Sequence, residues 1–226
     1  MSEATWLEKW SQLIKYTPIV YDYEIRGFGS HLEPESSIWM SSLSESMGEY
    51  FKEGLKVLDY GCGSGRYCNF LSKYLKEFTY YGVEIEGSEG HIGMKTGMGS
   101  FGHDPRVNFG LIDSDMEKEA LSVVDVVLLG SIYTHLLFDD FIKVNDKFLP
   151  VIDRVGTIVF SAFVGPEYVF PNKGGVYGVE NCYGVVIYTI GQLEKYCYDR
   201  EVEIELVDCF LAQKTHLHKI FRMIKL

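Results

Sequence analysis

The stretch VLDYGCGSGRY, residues 57–67, is the most informative part of the sequence. Its three glycines, Gly61, Gly63 and Gly65, alternate with other residues directly after a short apolar run that carries Asp59. Glycines at this spacing let a nucleotide-like ligand approach the backbone closely, because no Cβ stands in the way. The stretch therefore predicts a strand, a ligand-binding turn and the first residues of a helix.

Two common phosphate-binding patterns do not fit this stretch. A Walker A loop needs Gly-Lys-Ser/Thr, because the lysine meets the phosphates, but Arg66 follows Gly65 here. A dinucleotide-binding turn needs GxGxxG, and the third glycine comes one residue early. Asp59 would also repel a pyrophosphate, whereas a carboxylate suits a ligand with an ammonium group. The pattern favours a nucleoside ligand that carries an amino group and no phosphate.

Strand and helix patterns alternate along the chain. The predicted strands are KVLDYG, FTYYGVEI, RVNFGLID, VVDVVLLGS and GTIVFSAF, and then the closely spaced VEIELVDCFL and HKIFRMIKL. The predicted helices are an N-terminal amphipathic segment, residues 35–52 with Gly54 as the C-terminal cap, RYCNFLSKYLKE, residues 138–149 and IGQLEKYCY. We expect an α/β fold with a doubly wound, mostly parallel seven-stranded sheet, a terminal antiparallel hairpin and helices on both faces.

The whole chain, residues 1–226, is interpreted as a single domain. Residues 1–53 are expected to form a helical lid, and residues 54–226 an α/β core with a pocket-forming insertion at about 165–186. Residues 87–102 contain six glycines, each of which destabilises a helix by about 1 kcal/mol relative to alanine. An irregular loop with a short helical turn is therefore expected there. Two interpretations of this loop are equally favoured: it lies beside the ligand, or it is a divergent loop without a function.

The string VLDYGCGSGR resembles the D/E-x-G-x-G-x-G motif of the Rossmann-like, class I S-adenosylmethionine-dependent methyltransferases. The resemblance covers residues 53–163. It implies that S-adenosylmethionine is the cofactor and S-adenosylhomocysteine the product. The residues that it assigns to cofactor binding in this motif are Asp59, Gly61, Cys62, Gly63, Gly65 and Arg66.

The same resemblance assigns cofactor contacts after the second and third strands. Glu84, with Ile85 after it, falls where the family places the acid that binds the ribose hydroxyls, because a neutral diol can donate two hydrogen bonds to one carboxylate. Glu86 is the competing acid. Asp113 and Ser114 fall near the expected adenine amino group, with Asp115 as the alternative.

The fourth strand and its continuation, VDVVLLGSIYTHL, resemble the family block that lines the methionine part of the cofactor. By this match Gly130 and Ser131 contact the cofactor. By analogy with aromatic residues before the glycine loop in relatives, Tyr21 and Tyr23 are expected as lid residues over the methionine part, with a core role as the alternative. His135 and Tyr133 are the catalytic candidates, although the resemblance also fits a packing role for the histidine. A general base is needed only if the acceptor must lose a proton.

The net charge, the apolar segments and the cysteines of the chain disfavour several other functions. A net charge of −11 disfavours a surface that grips nucleic acid, and no segment is apolar for long enough to span a membrane. The five cysteines form no CxxC pair, which predicts free thiols, no metal site and a cytoplasmic protein. Residues 1–16 lack the pattern of a secretion signal.

We therefore expect a methyltransferase that acts on a small molecule, as a monomer or homodimer. The alternatives are a catalytically inactive S-adenosylmethionine-binding module and, less well supported, a nicotinamide-dependent oxidoreductase.

Overall fold

The computed structural model describes residues 41–130, 132–134, 136–154, 156–165, 186–209 and 218–226. The strands are β1 (Leu55–Tyr60), β2 (Phe78–Glu84), β3 (Val107–Leu111), β4 (Val126–Leu129), β5 (Thr157–Gly165), β6 (Ile187–Thr189), β7 (Val202–Cys209) and β8 (His218–Lys225). The helices are α1 (Arg66–Tyr74), α2 (Glu89–Phe101), α3 (Asp115–Val123), α4 (Phe138–Asp153) and α5 (Ile190–Arg200). Residues 41–46 are also helical, and Gly48–Tyr50 form a 3₁₀ turn.

The strands form one mixed sheet in the order β3-β2-β1-β4-β5-β8-β7, with β6 pairing β5. The first five strands and β6 pair in parallel, whereas β8 is antiparallel to β5 and β7 is antiparallel to β8. This confirms the predicted doubly wound sheet with a terminal antiparallel pair. The sequence analysis missed β6, because a strand of three residues is too short to show a pattern.

The two faces of the sheet carry separate hydrophobic cores, because successive side chains of a strand point to opposite faces. One core packs α1, α2 and residues 41–51 on Val57 and Leu128. The other packs α3, α4 and α5 on Leu58, Tyr60 and Phe160. Helices on both faces are therefore confirmed.

Two local predictions on the first face are wrong. Residues 89–101 were expected to form an irregular loop, but they form the helix α2. Ser88 caps this helix, because its side chain accepts a hydrogen bond from the His91 N–H. The helix predicted over 35–52 ends at residue 46 within the described part, and a 3₁₀ turn follows it. Gly54 does not cap this helix; it has a φ of 86° in the turn that leads into β1.

A third difference is the helix α3, which the sequence analysis did not predict. Ser114 caps it by accepting a hydrogen bond from the Glu117 N–H at 3.4 Å. The S-x-x-E spacing of these two residues is a known signal for a helix start.

Parts of the predicted lid and pocket lie outside the described residues. These are residues 1–40 of the N-terminal lid and residues 166–185 of the insertion. Within the described ranges, no helix combines the length and the apolar character that a membrane span requires.

Candidate functional site

Four predicted site residues meet at one edge of the sheet. Asp59 lies near the carboxyl end of β1 and Glu84 ends β2, while Asp113 and Gly130 follow β3 and β4. These strands are parallel, so their carboxyl ends share an edge. The strand order reverses between β1 and β4, which is where open α/β sheets form their ligand crevice.

The glycine turn after β1 has the conformation that its sequence requires. Gly61, Gly63 and Gly65 have φ values of 76°, 52° and 74°, a region that residues with a Cβ rarely adopt. A Cβ on Gly63 would meet no atom of the described residues within 4 Å, whereas one on Gly65 would lie 3.1 Å from the Phe109 ring. The backbone at Gly63 therefore faces open space at the crevice, which leaves room for a ligand.

The turn is held by hydrogen bonds to β2. The N–H groups of Gly61 and Cys62 both donate to the Val83 carbonyl, at 2.9 and 3.1 Å. Cys62 is buried, and burial raises the pKa of its thiol well above the ordinary value. Arg66, the first residue of α1, is exposed.

Asp59 is a buried carboxylate. The Tyr80 hydroxyl donates a hydrogen bond to Asp59 Oδ2 at 2.7 Å, and among the described residues no hydrogen bond reaches Oδ1. The pKa of Asp59 is raised to about 7: burial raises it most, the Tyr80 hydrogen bond opposes the rise, and the smaller effects of Glu84 and Arg66 raise and lower it respectively. A buried carboxylate with one free oxygen is suited to pair with a cation.

Glu84 is also buried, and it holds the glycine turn. Its Oε2 accepts a hydrogen bond from the Gly63 N–H at 3.1 Å, and its Oε1 accepts from the Ile85 N–H at 2.9 Å. Burial raises the pKa of Glu84, although these bonds and the Ser88 hydroxyl oppose the rise. A carboxylate accepts about four hydrogen bonds, and three are made here if the long one from the Ser88 hydroxyl to Oε1 at 3.5 Å is counted, so capacity for one more donor remains. Glu86 is exposed, which agrees with the preference for Glu84.

The glycines of α2 pack directly on this part of the site. A Cβ on Gly90 would overlap the Glu84 carboxylate. A Cβ on Gly93 would lie 3.2 Å from the Ser64 nitrogen, and one on Gly97 would lie 2.7 Å from the Ser64 oxygen. The glycines thus allow the helix to touch the turn and the acid, which explains why it forms despite its composition.

Asp113 has a constrained backbone after β3. Its φ of 66° is left-handed, and its N–H donates to Glu117 Oε2 at 2.5 Å. Lys147 pairs with both Asp113 Oδ1, at 2.8 Å, and Glu117 Oε1, at 2.7 Å. Ser114 serves as the cap of α3. The alternative, Asp115, is fully exposed and pairs with Lys118, so its side chain points away from the crevice.

The region after β4 is described only in part. A Cβ on Gly130 would lie 3.9 Å from Leu43, so residues 41–46 approach this end of the crevice. Tyr133 is fully buried, with its ring 4.6 Å from Phe141 and 5.2 Å from Phe160. Burial raises the pKa of its hydroxyl, and its ring is part of the core that packs α3, α4 and α5 on the sheet.

Several predicted residues lie outside the described part of the chain. They are Ser131, His135, Tyr21 and Tyr23. The roles assigned to them stay predictions. Among the described residues, no group of three or more His, Cys, Asp or Glu side chains is arranged to hold a metal ion.

Sequence reasoning missed Tyr80 and the glycine face of α2. Tyr80 lies four residues before Glu84, but only the pairing of β1 with β2 brings it to Asp59. The spacing of Gly90, Gly93 and Gly97 places them on one face of a helix, and this signal was present in the sequence.

Comparison with solved structures shows that the chain has the fold of the class I S-adenosylmethionine-dependent methyltransferases. No protein-family model and no curated protein sequence matches the chain.

Among the similar structures is magnesium protoporphyrin IX methyltransferase from Synechocystis PCC 6803 with bound S-adenosylmethionine, with a TM-score of 0.61, 12% identity and full coverage of both chains. A Leishmania major methyltransferase of the DUF858 family has a TM-score of 0.62 and 13% identity, over 96% of this chain and 82% of that one. The [4+2]-cyclase SpnF is also similar, with a TM-score of 0.53 and 15% identity, over 84% of this chain and 81% of that one.

Proposed function

We propose that the protein is an S-adenosylmethionine-dependent methyltransferase that acts on a small-molecule acceptor. The observation that carries this proposal is the pair of buried carboxylates, Asp59 and Glu84, on either side of a glycine turn that is open at Gly63. Two acids at this position disfavour a phosphate and suit a ligand with an ammonium group and a diol.

Each part of the site would take one part of this cofactor. Asp59 would accept a hydrogen bond from the methionine amino group through its free Oδ1, and Glu84 would accept one from a ribose hydroxyl. The backbone at Gly63 leaves room for the nucleoside. Asp113 and Ser114 would lie beside the adenine, and Gly130 and Ser131 beside the methionine chain. The remaining assigned contacts are Gly61, Cys62, Gly65, Arg66, Ile85 and Tyr21.

The work of the protein in this reaction is positioning. When bound, S-adenosylmethionine supplies a methyl group activated by a sulfonium. The chain has to hold the acceptor in line with this group and exclude water. If the acceptor is a hydroxyl, His135 is our candidate to take its proton. Because Tyr133 is fully buried between aromatic rings, we assign it a packing role before a catalytic one.

The acceptor pocket is proposed from the sequence. We assign it to residues 1–53 and to the insertion at about 165–186, both rich in aromatic residues or glycine. A small molecule is favoured over nucleic acid because the chain has a net charge of −11.

A catalytically inactive binding module is the second candidate. The residues that bind the cofactor serve both functions equally, and a [4+2]-cyclase has a similar fold. Formation of S-adenosylhomocysteine with any acceptor would separate the two.

Calorimetric titration with S-adenosylmethionine and S-adenosylhomocysteine tests the proposal. We expect micromolar binding that is lost in Asp59→Ala and retained in Glu86→Ala, the matched control at an exposed acid near the same edge. Absence of binding to a wild-type protein shown to be free of bound cofactor would contradict the proposal.

A further inference from the structure

Tyr80 and Asp59 form a buried pair across two neighbouring strands. Asp59 is 6% exposed to solvent and Tyr80 is fully buried, and the Tyr80 hydroxyl lies 2.7 Å from Asp59 Oδ2. In the register of β1 and β2, Asp59 lies opposite Gly82, two residues after Tyr80. A Cβ on Gly82 would lie 2.8 Å from the Tyr80 ring, so this glycine leaves room for the ring to reach Asp59.

The ring of Tyr80 is fixed from the other side as well. Phe109 of β3 meets it edge-on, with the ring centroids 5.7 Å apart. Because the ring is held by packing, the hydroxyl is held on Oδ2, and the plane of the Asp59 carboxyl group is set before any ligand arrives. The oxygen that remains, Oδ1, is the one available to a ligand.

Among the described residues, the charges near Asp59 do not neutralise it. The titratable groups that act on it are Tyr80 and Glu84 of β2, Cys62 of the glycine turn, and Arg66, Tyr67 and Cys68 of α1. Arg66 is the one cation in this described set and it is exposed, while Glu84 is a second buried acid. Within the described residues, the ionised form of Asp59 is therefore favoured by the Tyr80 hydrogen bond and, more weakly, by Arg66, and a cation supplied by the ligand would favour it further.

We propose that Tyr80 is a positioning residue that aims Asp59 at the ammonium group of the ligand, and that the Asp59 carboxyl group releases a proton to solvent when this ammonium group binds. The inference rests on the proposed function, since it takes the ligand to be S-adenosylmethionine or its product. The bond that breaks is the carboxyl O–H, and the ammonium keeps its own protons and donates one in a hydrogen bond to the carboxylate.

The proposal predicts a bell-shaped dependence of affinity on pH. Because burial raises the pKa of Asp59 to about 7, affinity should fall about tenfold for each pH unit below that value. At higher pH the ligand's α-amino group loses its own proton, so affinity should fall again. Removal of the Tyr80 hydroxyl should raise the pKa of Asp59 by about one unit, which leaves about one carboxyl in eleven ionised at pH 7 and weakens binding about fivefold.

The experiment is calorimetric titration of the whole chain between pH 6 and 8.5, in buffers of different ionisation enthalpy so that released protons are counted. The ligands are S-adenosylhomocysteine and 5′-methylthioadenosine, which has the adenosine and the thioether but no amino acid. The variants are Tyr80→Phe and the control Tyr196→Phe. Tyr196 is also buried and its hydroxyl donates to an aspartate, Asp146, at 3.1 Å, but it packs in the core on the opposite face of the sheet.

We expect proton release with S-adenosylhomocysteine below pH 7 and none with 5′-methylthioadenosine. The rise of affinity with pH should move to higher pH in Tyr80→Phe but not in Tyr196→Phe. An unchanged pH profile in Tyr80→Phe, or equal proton release with both ligands, would overturn the inference while leaving the proposed function standing. Failure of the wild type to bind S-adenosylhomocysteine at any pH would overturn the proposed function itself.

A second variant covers the case in which Tyr80→Phe does not fold. Asp59→Asn keeps an acceptor for the Tyr80 hydroxyl but has no proton to release. Its residual affinity for S-adenosylhomocysteine, measured at high ligand concentration, should not change between pH 6 and 7.5, and a rise with pH as steep as that of the wild type would overturn the inference.

Discussion

At the scale of single residues, the ionised form of Asp59 that is suited to ligand binding also lowers the stability of the free protein. A carboxyl group whose pKa is higher in the folded chain than in the unfolded one binds its proton more tightly when folded. The tighter proton binding of Asp59 contributes fully to the free energy of unfolding below the ordinary aspartate pKa of about 4. This contribution is lost as the pH rises to about 7, where Asp59 ionises in the folded protein. Above pH 7 the free protein therefore holds a buried negative charge that destabilises it.

Asp59→Asn should consequently raise the thermal stability at pH 8 and change it little at pH 4. One pH unit corresponds to about 1.4 kcal/mol, so the gain at pH 8 is as much as about 4 kcal/mol. Thermal unfolding at both pH values measures it. Asp153→Asn, at an exposed aspartate paired with Lys225, is the control and should show no such dependence on pH. A gain of equal size at both pH values would contradict the assignment.

Glu84 is bound to the protein through both of its oxygens, and this makes a conservative replacement informative. Glu84→Gln offers one acceptor oxygen and an amide that donates, so it cannot accept from both Gly63 and Ile85. We expect a loss of about 1–3 kcal/mol in the free energy of unfolding, the typical effect of an unpaired buried donor, and at least tenfold weaker cofactor binding. Denaturant unfolding and calorimetry measure the two effects. Wild-type behaviour in Glu84→Gln, matching that of Glu86→Gln, would rule out the proposed role.

At the scale of secondary structure, α2 shows how tertiary packing overrides propensity. Its glycines disfavour a helix by about 1 kcal/mol each, and the sequence-based prediction of a loop followed from that value. The prediction was wrong because Gly90, Gly93 and Gly97 allow the helix to lie against Ser64 and Glu84. The Ser88 cap contributes about a further 1 kcal/mol.

Two glycines of this helix should respond to alanine in opposite ways. Gly99 has no atom within 4 Å of a Cβ placed on it, so Gly99→Ala should stabilise the protein by up to about 1 kcal/mol through helix propensity. Gly97→Ala would place its Cβ 2.7 Å from the Ser64 carbonyl oxygen, which should lower stability and weaken cofactor binding. Thermal unfolding and calorimetry measure both variants. Stabilisation by Gly97→Ala, like that expected of Gly99→Ala, would show that α2 does not need its close approach to the turn.

The elements that sequence analysis predicted well are those with a local signal. The alternation of apolar residues indicated the main strands, and the glycine turn indicated the ends of β1 and the start of α1. The missed features depend on contacts between distant residues. Tyr80 meets Asp59 only through the register of two strands, and the approach of α2 to Glu84 is visible only in three dimensions.

At the scale of the whole molecule, the parallel strands place both acids and the glycine turn at one edge, and this follows from topology alone. The fold does not by itself define the reaction, since proteins with this fold include methyltransferases and a [4+2]-cyclase. Sequence and structure therefore support a cofactor more directly than an acceptor, because the residues assigned to the acceptor lie mostly outside the described ranges.

Ligand-induced stabilisation of the entire chain tests the choice of cofactor. A ligand at 100 times its dissociation constant stabilises the folded state by about 2.7 kcal/mol, and a chain of 226 residues gains about 2–4 °C per kcal/mol. S-adenosylhomocysteine should therefore raise the unfolding temperature by about 5–10 °C in the wild type and leave Asp59→Ala unchanged. Nicotinamide dinucleotides should have no effect, because Asp59 repels a pyrophosphate at the glycine turn and the third glycine comes one residue too early for a dinucleotide-binding turn. A rise with the dinucleotide and none with S-adenosylhomocysteine would mean that the two acids do not select the ligand, and the oxidoreductase alternative would replace the methyltransferase.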